Sequence, residues 1–356
     1  MSVSGRVSLG DLHRFVVQSL RSTGMTDHHA VIVADTLATT DAMGVHTHGT
    51  KLLHGYIRKL QGGGYSSNAE PAIVRQGPAW GVVDGKSALG MIGCNFAMQL
   101  AVDKAKQTGI AWVGLTHTAH VGAIGYYVSQ AAKQGCVAMA TGNDIPSVAA
   151  PGSRSSVLGS NPIAYAIPRL SNDPILLDMA TAATAGGKVY AACQRGETIP
   201  DTWLIGPDGK PTTDGSLYPA NAALAPMAGH KGYGIGLWCE ILSAILPGGH
   251  HTWQVGSWLF DSTDKPSNHG ASFMAVDVAT IGSPDAFYSR LEALVQEIHE
   301  AQTADGVDRI YLPGEREWER MRQAETNGIP LPADVLEKLQ LVCEALGIEQ
   351  PSWLRR

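Results

Sequence analysis

The residues able to do chemistry in this 356-residue chain fall into four short runs. The first is Gly44-Val45-His46-Thr47-His48-Gly49, with His54 beyond it. An H-x-H pair can ligate zinc, and the third ligand would be His54, Asp41 or a distant group. The same histidines can instead cap the helix that begins near Gly49. They can also act as acid and base, since imidazole titrates nearest neutrality and Thr47 can orient His48. The second run holds His117 and His120, which follow a strand and lead through Gly122 and Gly125 into a helix. An anion fits such a helix start, and a solvated loop is the plain alternative. The third is Asp178, closing the apolar strand Ile175-Leu176-Leu177. It can accept from a ribose hydroxyl, orient a histidine, or simply make a turn. The fourth, Gly229-His230-Lys231-Gly232, opens the helix that carries Glu240. Lysine at a helix start opposes the dipole unless an anion sits there, and otherwise it is a solvated side chain. Glu240 lies on an apolar face and requires a partner, because an unpaired buried carboxylate is costly.

Neither standard nucleotide motif is present. Gly232-Tyr233-Gly234-Ile235-Gly236 has the wrong spacing for G-x-G-x-x-G and no strand before it. Gly85-Lys86-Ser87 ends like a P-loop, but Trp80 occupies the position that needs glycine. A bound nucleotide must be held in some other way.

The elements that position these runs divide in two. Residues 1–72 read as helical: Ser8 and Thr26 cap two helices, and a third runs from Leu52 to Leu60 before Gly62-Gly63-Gly64. Residues 73–282 alternate short apolar strands with helices, including one from about Gly234 to Leu246. Residues 283–356 return to helix, where Val335, Leu336, Leu339, Val342, Cys343 and Leu346 make one apolar stripe. The expectation is an α/β (α+β) protein with a central unit over 73–282. A helical subdomain built from both termini, 1–72 with 283–356, completes it.

Composition narrows the functions. The balance of 26 basic against 32 acidic residues, net −6, argues against nucleic acid and anionic membranes as partners. Five cysteines, odd in number and without C-x-x-C, argue against a disulfide framework, a zinc ribbon or a thioredoxin motif. The start MSVSGRVSLGDLHRF lacks an apolar signal core, and the longest apolar stretch is too short to span a bilayer. A reduced cytoplasmic enzyme is expected.

Ten segments, in order from residue 44 to residue 331, carry a resemblance: GVHTHG, HVGAIGYY, LGSNPIAYAIP, LLDMATA, GGK, RGETIPD, GKPTTDG, GHKGYG, LPGE and GIPL. Together they resemble the type-2 malate/L-lactate dehydrogenases. That group includes the ureidoglycolate, sulfolactate, diketogulonate and cyclic-imine reductase branches. The resemblance implies NAD- or NADP-dependent interconversion of 2-hydroxy and 2-oxo acids, or reduction of cyclic 2-imino acids. It also implies a non-Rossmann cofactor domain with a largely antiparallel or mixed sheet. It further implies a homodimer with the active site near the subunit interface. His48 then matches the proton donor, with Thr47 before it. His120 matches a histidine that is the acid–base in one branch and lies near the nicotinamide in others. Asp178, Met179, Ala180, His230, Lys231, Gly314 and Glu315 match cofactor contacts, and Ser160 a substrate contact. No metal is expected.

Two positions depart from the family pattern. The arginine often found four residues after the proton-donor histidine is Leu52 here, with Lys51 beside it. Lysine offers a point charge in place of a bidentate fork, so carboxylate recognition by Lys51 would differ. Asp144 stands where serine is common; beside an adenosine ribose its carboxylate would disfavour a 2′-phosphate, which leans toward NAD. Two rival readings are a metal-dependent hydrolase on His46, His48 and His54, and a catalytically degenerate member that binds a metabolite.

Overall fold

The computed structural model describes residues 5–355; the first four residues and Arg356, at the outer limits of the two terminal segments, lie outside it. Helices α1 (Leu9–Arg21) and α2 (Asp27–Ala42) start where the sequence places them, because Ser8 accepts from the Asp11 amide and Thr26 from the His29 amide. Helix α3 spans Leu53–Gly62 and stops at Gly63, whose φ is +85°. These three helices bury Leu12, Phe15, Leu20, Leu37, Tyr56 and Ile57 in one cluster. The C-terminal stripe Val335, Leu339, Val342 and Cys343 completes it. A two-residue strand pair, Arg6–Val7 with Ile329–Pro330, ties the chain's ends together.

The central sheet has seven strands: β1 (Ala72–Gly77), β2 (Trp80–Asp84), β3 (Ile110–Thr118), β4 (Cys136–Gly142), β5 (Ile163–Ile167), β6 (Ile175–Met179) and β7 (His269–Asp277). Their spatial order is β1-β2-β3-β7-β4-β5-β6. Only β2 and β3 run parallel, joined by helix α4 (Gly90–Thr108); every other neighbouring pair is antiparallel. The sheet is therefore mixed. Strand β7 lies at its centre and is almost wholly buried, so its sequence His269–Asp277 reads as a continuous apolar run rather than an alternation. Helix α5 (Gly125–Ala132) covers β4 and β5.

Three features were not visible in the sequence. The helix that carries Glu240 starts at His230, as the Gly229-His230-Lys231-Gly232 run implies, but α6 (His230–Glu240) continues as a π turn over Ile241–Ile245 that no pattern announces. The glycines that look like breakers are demanded by space, since a Cβ at Gly232 would lie 1.8 Å from the Met227 carbonyl oxygen. A second sheet of two- and three-residue strands, including Val148–Ala149, Leu204–Ile205 and Ala223–Leu224, is too short to show a period. Helix α7 (Pro284–His299), expected with the terminal helices, packs Leu291 and Val295 on Ile175, Tyr165 and Ile167 at the sheet edge instead. Helices α8 (Glu315–Asn327) and α9 (Ala333–Leu346) end the chain. Among the described residues no helix is long and apolar enough to cross a membrane.

Leu339 is fully enclosed between the two chain ends. Leu339→Ala is expected to cost about 2–5 kcal/mol, the loss of a buried isobutyl group plus its cavity. Urea unfolding checks this; an unchanged midpoint would mean the terminal segments do not share a core.

Candidate active site

The loop after α2 is shaped by one buried carboxylate. Asp41 Oδ2 accepts from the Thr50 amide at 2.8 Å and the Thr50 hydroxyl at 2.6 Å. Its Oδ1 lies 2.9 Å from His46 Nδ1. His46 is thereby committed to Asp41, while His48 turns the other way. The caps of this segment come from Asp41 and not from either histidine. His54 feels the charges of Lys338, Arg58 and Glu344, toward α9. The three histidines of the hydrolase reading do not converge, and among the described residues no group of three or more His, Cys, Asp or Glu forms a metal site.

His48 instead stacks on His120, with ring centroids 5.9 Å apart and planes inclined by 25°. Thr47 Oγ1 lies 2.9 Å from His48 Nδ1. The fully buried Tyr56 of α3 brings its hydroxyl to 2.8 Å from His120 Nδ1. Trp258 stacks on His120 at 5.0 Å, and His269 meets it edge-on at 5.8 Å. Both His48 and His120 keep part of their surface open, as groups that meet a ligand must.

Behind the stack lies a hydrogen-bonded chain. His269, at the start of β7, has no exposed surface. Its Nδ1 is 3.0 Å from Ser267 Oγ, which is 2.9 Å from the Tyr65 hydroxyl. Its Nε2 is 3.3 Å from Asp144 Oδ1. The Ile145 amide also donates to Oδ1 at 2.8 Å, and the Ser160 hydroxyl to Oδ2 at 3.4 Å. A bulge at Gly270 sets the position of His269; a Cβ there would come within 2.1 Å of the Ser243 carbonyl oxygen.

Beneath Asp144 sits Glu240, almost wholly buried at the end of α6. It accepts from Asn161 Nδ2 at 2.7 Å, the Thr252 amide at 2.9 Å and, at 3.5 Å, Asn143 Nδ2. Asn161 Oδ1 in turn accepts from the Asp144 amide at 3.2 Å. Asn143 Oδ1 accepts from the Gly270 amide at 2.7 Å. The partner demanded for Glu240 is thus a set of three donors, two of them amides that hold the site loops.

The environment sets protonation states. Burial pushes the His120 pKa down to about 3; the charges of His269 and His48 add to this and Asp144 opposes it. Burial also lowers His48, again against Asp144. Burial raises the Asp144 carboxyl, but the His269 hydrogen bond and the charges of His269 and His120 outweigh it and hold it below the usual range. Burial lifts the Tyr56 phenol well above its ordinary value. At neutral pH the site therefore holds neutral His48 and His120 imidazoles beside one ionised carboxylate, Asp144.

The remaining expected residues are placed as follows. Ser160 joins the Asp144 chain. Asp178, at the end of β6, accepts from the Gly125 amide at 2.8 Å at the start of α5, with Met179 and Ala180 following it. His230 and Lys231 stand exposed at the start of α6. Three of the expected residues make other contacts in this structure. Lys51 is engaged at 2.6 Å by Asp334 of α9 and does not join the imidazole cluster. Asp144 pairs with His269 at 3.3 Å and its charge acts on His48 and His120. Glu315 is taken up by its own helix start, accepting from the Leu312 amide at 2.9 Å with His299 at 3.1 Å, while Gly314 abuts Leu176. The sequence reading missed Tyr56, Trp258 and His269, which lie in no motif; only the solitary histidine of Asn268-His269-Gly270 offered a hint.

A model of the malate/L-lactate dehydrogenase family matches residues 7–340. A malate dehydrogenase of Pyrococcus horikoshii is 34% identical over 351 residues, spanning 97% of this chain and 96% of that one. The ureidoglycolate dehydrogenase (NAD(+)) of Escherichia coli strain K12 is 32% identical over 334 residues, 94% of this chain and 95% of that one. The crystal structure of a malate dehydrogenase from Entamoeba histolytica superposes with a TM-score of 0.90 at 28% identity, over 97% of this chain and 99% of that one.

The depressed His120 has a consequence for stability. Between its folded pKa of about 3 and the unfolded value of 6.5, only the unfolded chain binds this proton. Stability therefore falls as pH drops from 6.5 toward 3, by at most about 1.4 kcal/mol per pH unit for one group. Urea unfolding across this range is expected to show a shallower slope in His120→Gln than in the wild type. Equal slopes would mean that His120 is not held neutral.

Proposed function

The chain belongs to the malate/L-lactate dehydrogenase family, and on that premise we propose that it interconverts a 2-hydroxy acid and its 2-oxo acid using NAD or NADP. The observation that carries this reading is the His48–His120 stack, anchored by Tyr56 and backed by ionised Asp144. The start of α6 suits the pyrophosphate of a nicotinamide cofactor. Its first-turn amides have no intrahelical acceptor, Lys231 is exposed beside them, and the space around Gly229 and Gly234 is open. Asp178, Met179, Ala180, His230 and Lys231 would hold the cofactor. When bound, it supplies the hydride chemistry.

The chain supplies the proton chemistry. With Nδ1–H donating to Thr47 Oγ1, His48 presents the lone pair of Nε2 and accepts the hydroxyl proton as the 2-hydroxy acid is oxidised. In reduction, the protonated ring returns it. His120 has a different part. With the Tyr56 hydroxyl donating to its Nδ1, the neutral ring carries its proton on Nε2 and donates a hydrogen bond to the substrate oxygen, stabilising the developing alkoxide without releasing the proton. Ser160 adds a contact from the Asp144 side. An exposed apolar row on α6 and its π turn, formed by Leu237, Trp238, Ile241, Ile245 and Leu246, supports pairing of two copies as a homodimer. The reading places the enzyme in the cytoplasm.

His48→Gln is expected to lower kcat about 10²–10⁴-fold with cofactor affinity little changed. His120→Phe is expected to lower it roughly 10²–10³-fold. Oxidation by the wild type should decline at a pH below the ordinary imidazole range, because burial lowers His48, which must be neutral to accept the proton, and His48→Gln should lose that decline. The measurement is turnover of 2-oxo acids, 2-hydroxy acids and cyclic 2-imino acids with both cofactors. Wild-type kcat in His48→Gln, with the pH dependence retained, would overturn the assignment.

A further inference from the structure

The charges around the paired imidazoles select a substrate, an inference that rests on the dehydrogenase reading above. We propose that the site takes acids with a single carboxylate, whose other end is uncharged or cationic and offers N–H or O–H donors to Asp144, and that it disfavours dicarboxylates.

Three observations carry this. First, Asp144 is the fixed charge that acts on both His48 and His120. No lysine or arginine among the described residues is one of the charges that act on either imidazole. Second, the cation nearest in sequence to His48 is withdrawn. Lys51 pairs with Asp334 at 2.6 Å, and the next residue is the apolar Leu52. A second substrate carboxylate thus finds no counter-charge beside His48. Third, Asp144 has capacity to spare. Its Oδ1 is taken by the Ile145 amide and His269, but Oδ2 holds only the 3.4 Å contact to Ser160, and 27% of the side chain remains exposed. A carboxylate has about four acceptor positions, so Oδ2 can accept from an amide, hydroxyl or ammonium of a ligand. Occupied by a second carboxylate, the same place sets two negative charges together. At about 5 Å under protein-like screening that repulsion corresponds to roughly a hundredfold in affinity.

The backing of Asp144 makes it a fixed selector. The Asn161 side chain holds its amide, His269 its Oδ1, and Glu240 anchors Asn161. The carboxylate cannot swing away to relieve a bad pairing without breaking buried hydrogen bonds.

The test compares oxaloacetate with its ω-amide, 2-oxosuccinamate, two acids of the same length that differ in one carboxylate. In NADH- or NADPH-driven reduction by the intact wild-type enzyme, kcat/KM for the amide is expected to exceed that for oxaloacetate by about 10²-fold. Asp144→Asn should shrink the ratio at least tenfold, chiefly by improving oxaloacetate. Inhibition of the wild type by oxamate and by oxalate gives a second readout that needs no variant, and oxamate is expected to bind more tightly. A wild-type preference for oxaloacetate, or a ratio unchanged in Asp144→Asn, overturns the proposal while leaving the dehydrogenase reading intact. Failure of every 2-oxo acid, 2-hydroxy acid and cyclic imine with both cofactors removes that reading, and the proposal with it.

Discussion

The architecture of the site depends on one buried carboxylate that never faces a substrate. Glu240 ends α6 and receives donors from three separate loops, at Asn143, Asn161 and Thr252. Two of these residues have unusual backbones: φ is +26° at Asn161 and +47° at Thr252. For a β-branched residue such as Thr252 that is an uncommon conformation, and its amide is the group Glu240 holds. Remove the carboxylate and the Thr252 amide loses its acceptor, at a cost of about 1–3 kcal/mol, while Asn143 and Asn161 keep only their bonds to the His250 and Gly236 carbonyls. The loops that carry Asp144, Ser160 and His250 would then lose the one acceptor they share. The π turn that follows Glu240 belongs to the same arrangement, because it brings Ser243 against Thr141 at 2.7 Å and its carbonyl against Gly270.

Burial and charge oppose each other above this anchor, and their balance gives the two imidazoles different parts. His120 is surrounded by His269, Trp258 and Tyr56, so desolvation dominates and the ring stays neutral. His48 meets fewer groups; its exposed neighbour Thr47 supplies its hydrogen bond. A ring that remains neutral suits polarising a carbonyl, and a ring with one nitrogen on a hydroxyl and the other free suits carrying a proton. Asp144 opposes the desolvation of both.

Much of this was legible in the sequence, and the reasons for the rest are physical. Capping residues act on their nearest neighbours, so Ser8 and Thr26 mark their helices correctly. The heptad-like stripe from Val335 to Cys343 marks a buried face, because period and burial coincide there. His48 and His120 were legible as types in a loop context. What could not be read was convergence. Tyr56 is one apolar-looking position on a helix face, Trp258 lies in a loop without a pattern, and His269 begins a mostly apolar central strand. The partner of Lys51 was hidden for the same reason: its spacing places it near His48, but Asp334, 283 residues away, pairs with it. The short strands around Val148 and Leu204 carry too few residues for any periodicity to emerge.

The closure of the two chain ends bears on how the protein is made. The apolar face of α3 finds its cover in the C-terminal helix that carries Leu339, Val342 and Cys343, which leave the ribosome some 280 residues later. At about 5–20 residues per second that is a wait of roughly 15–60 s. During this interval α1 and α2 can pack on each other, but α3 has no native partner for the face that meets the C-terminal helix. An early apolar surface thus waits for a late partner, which makes the speed of translation and the availability of holdase chaperones part of this fold's yield.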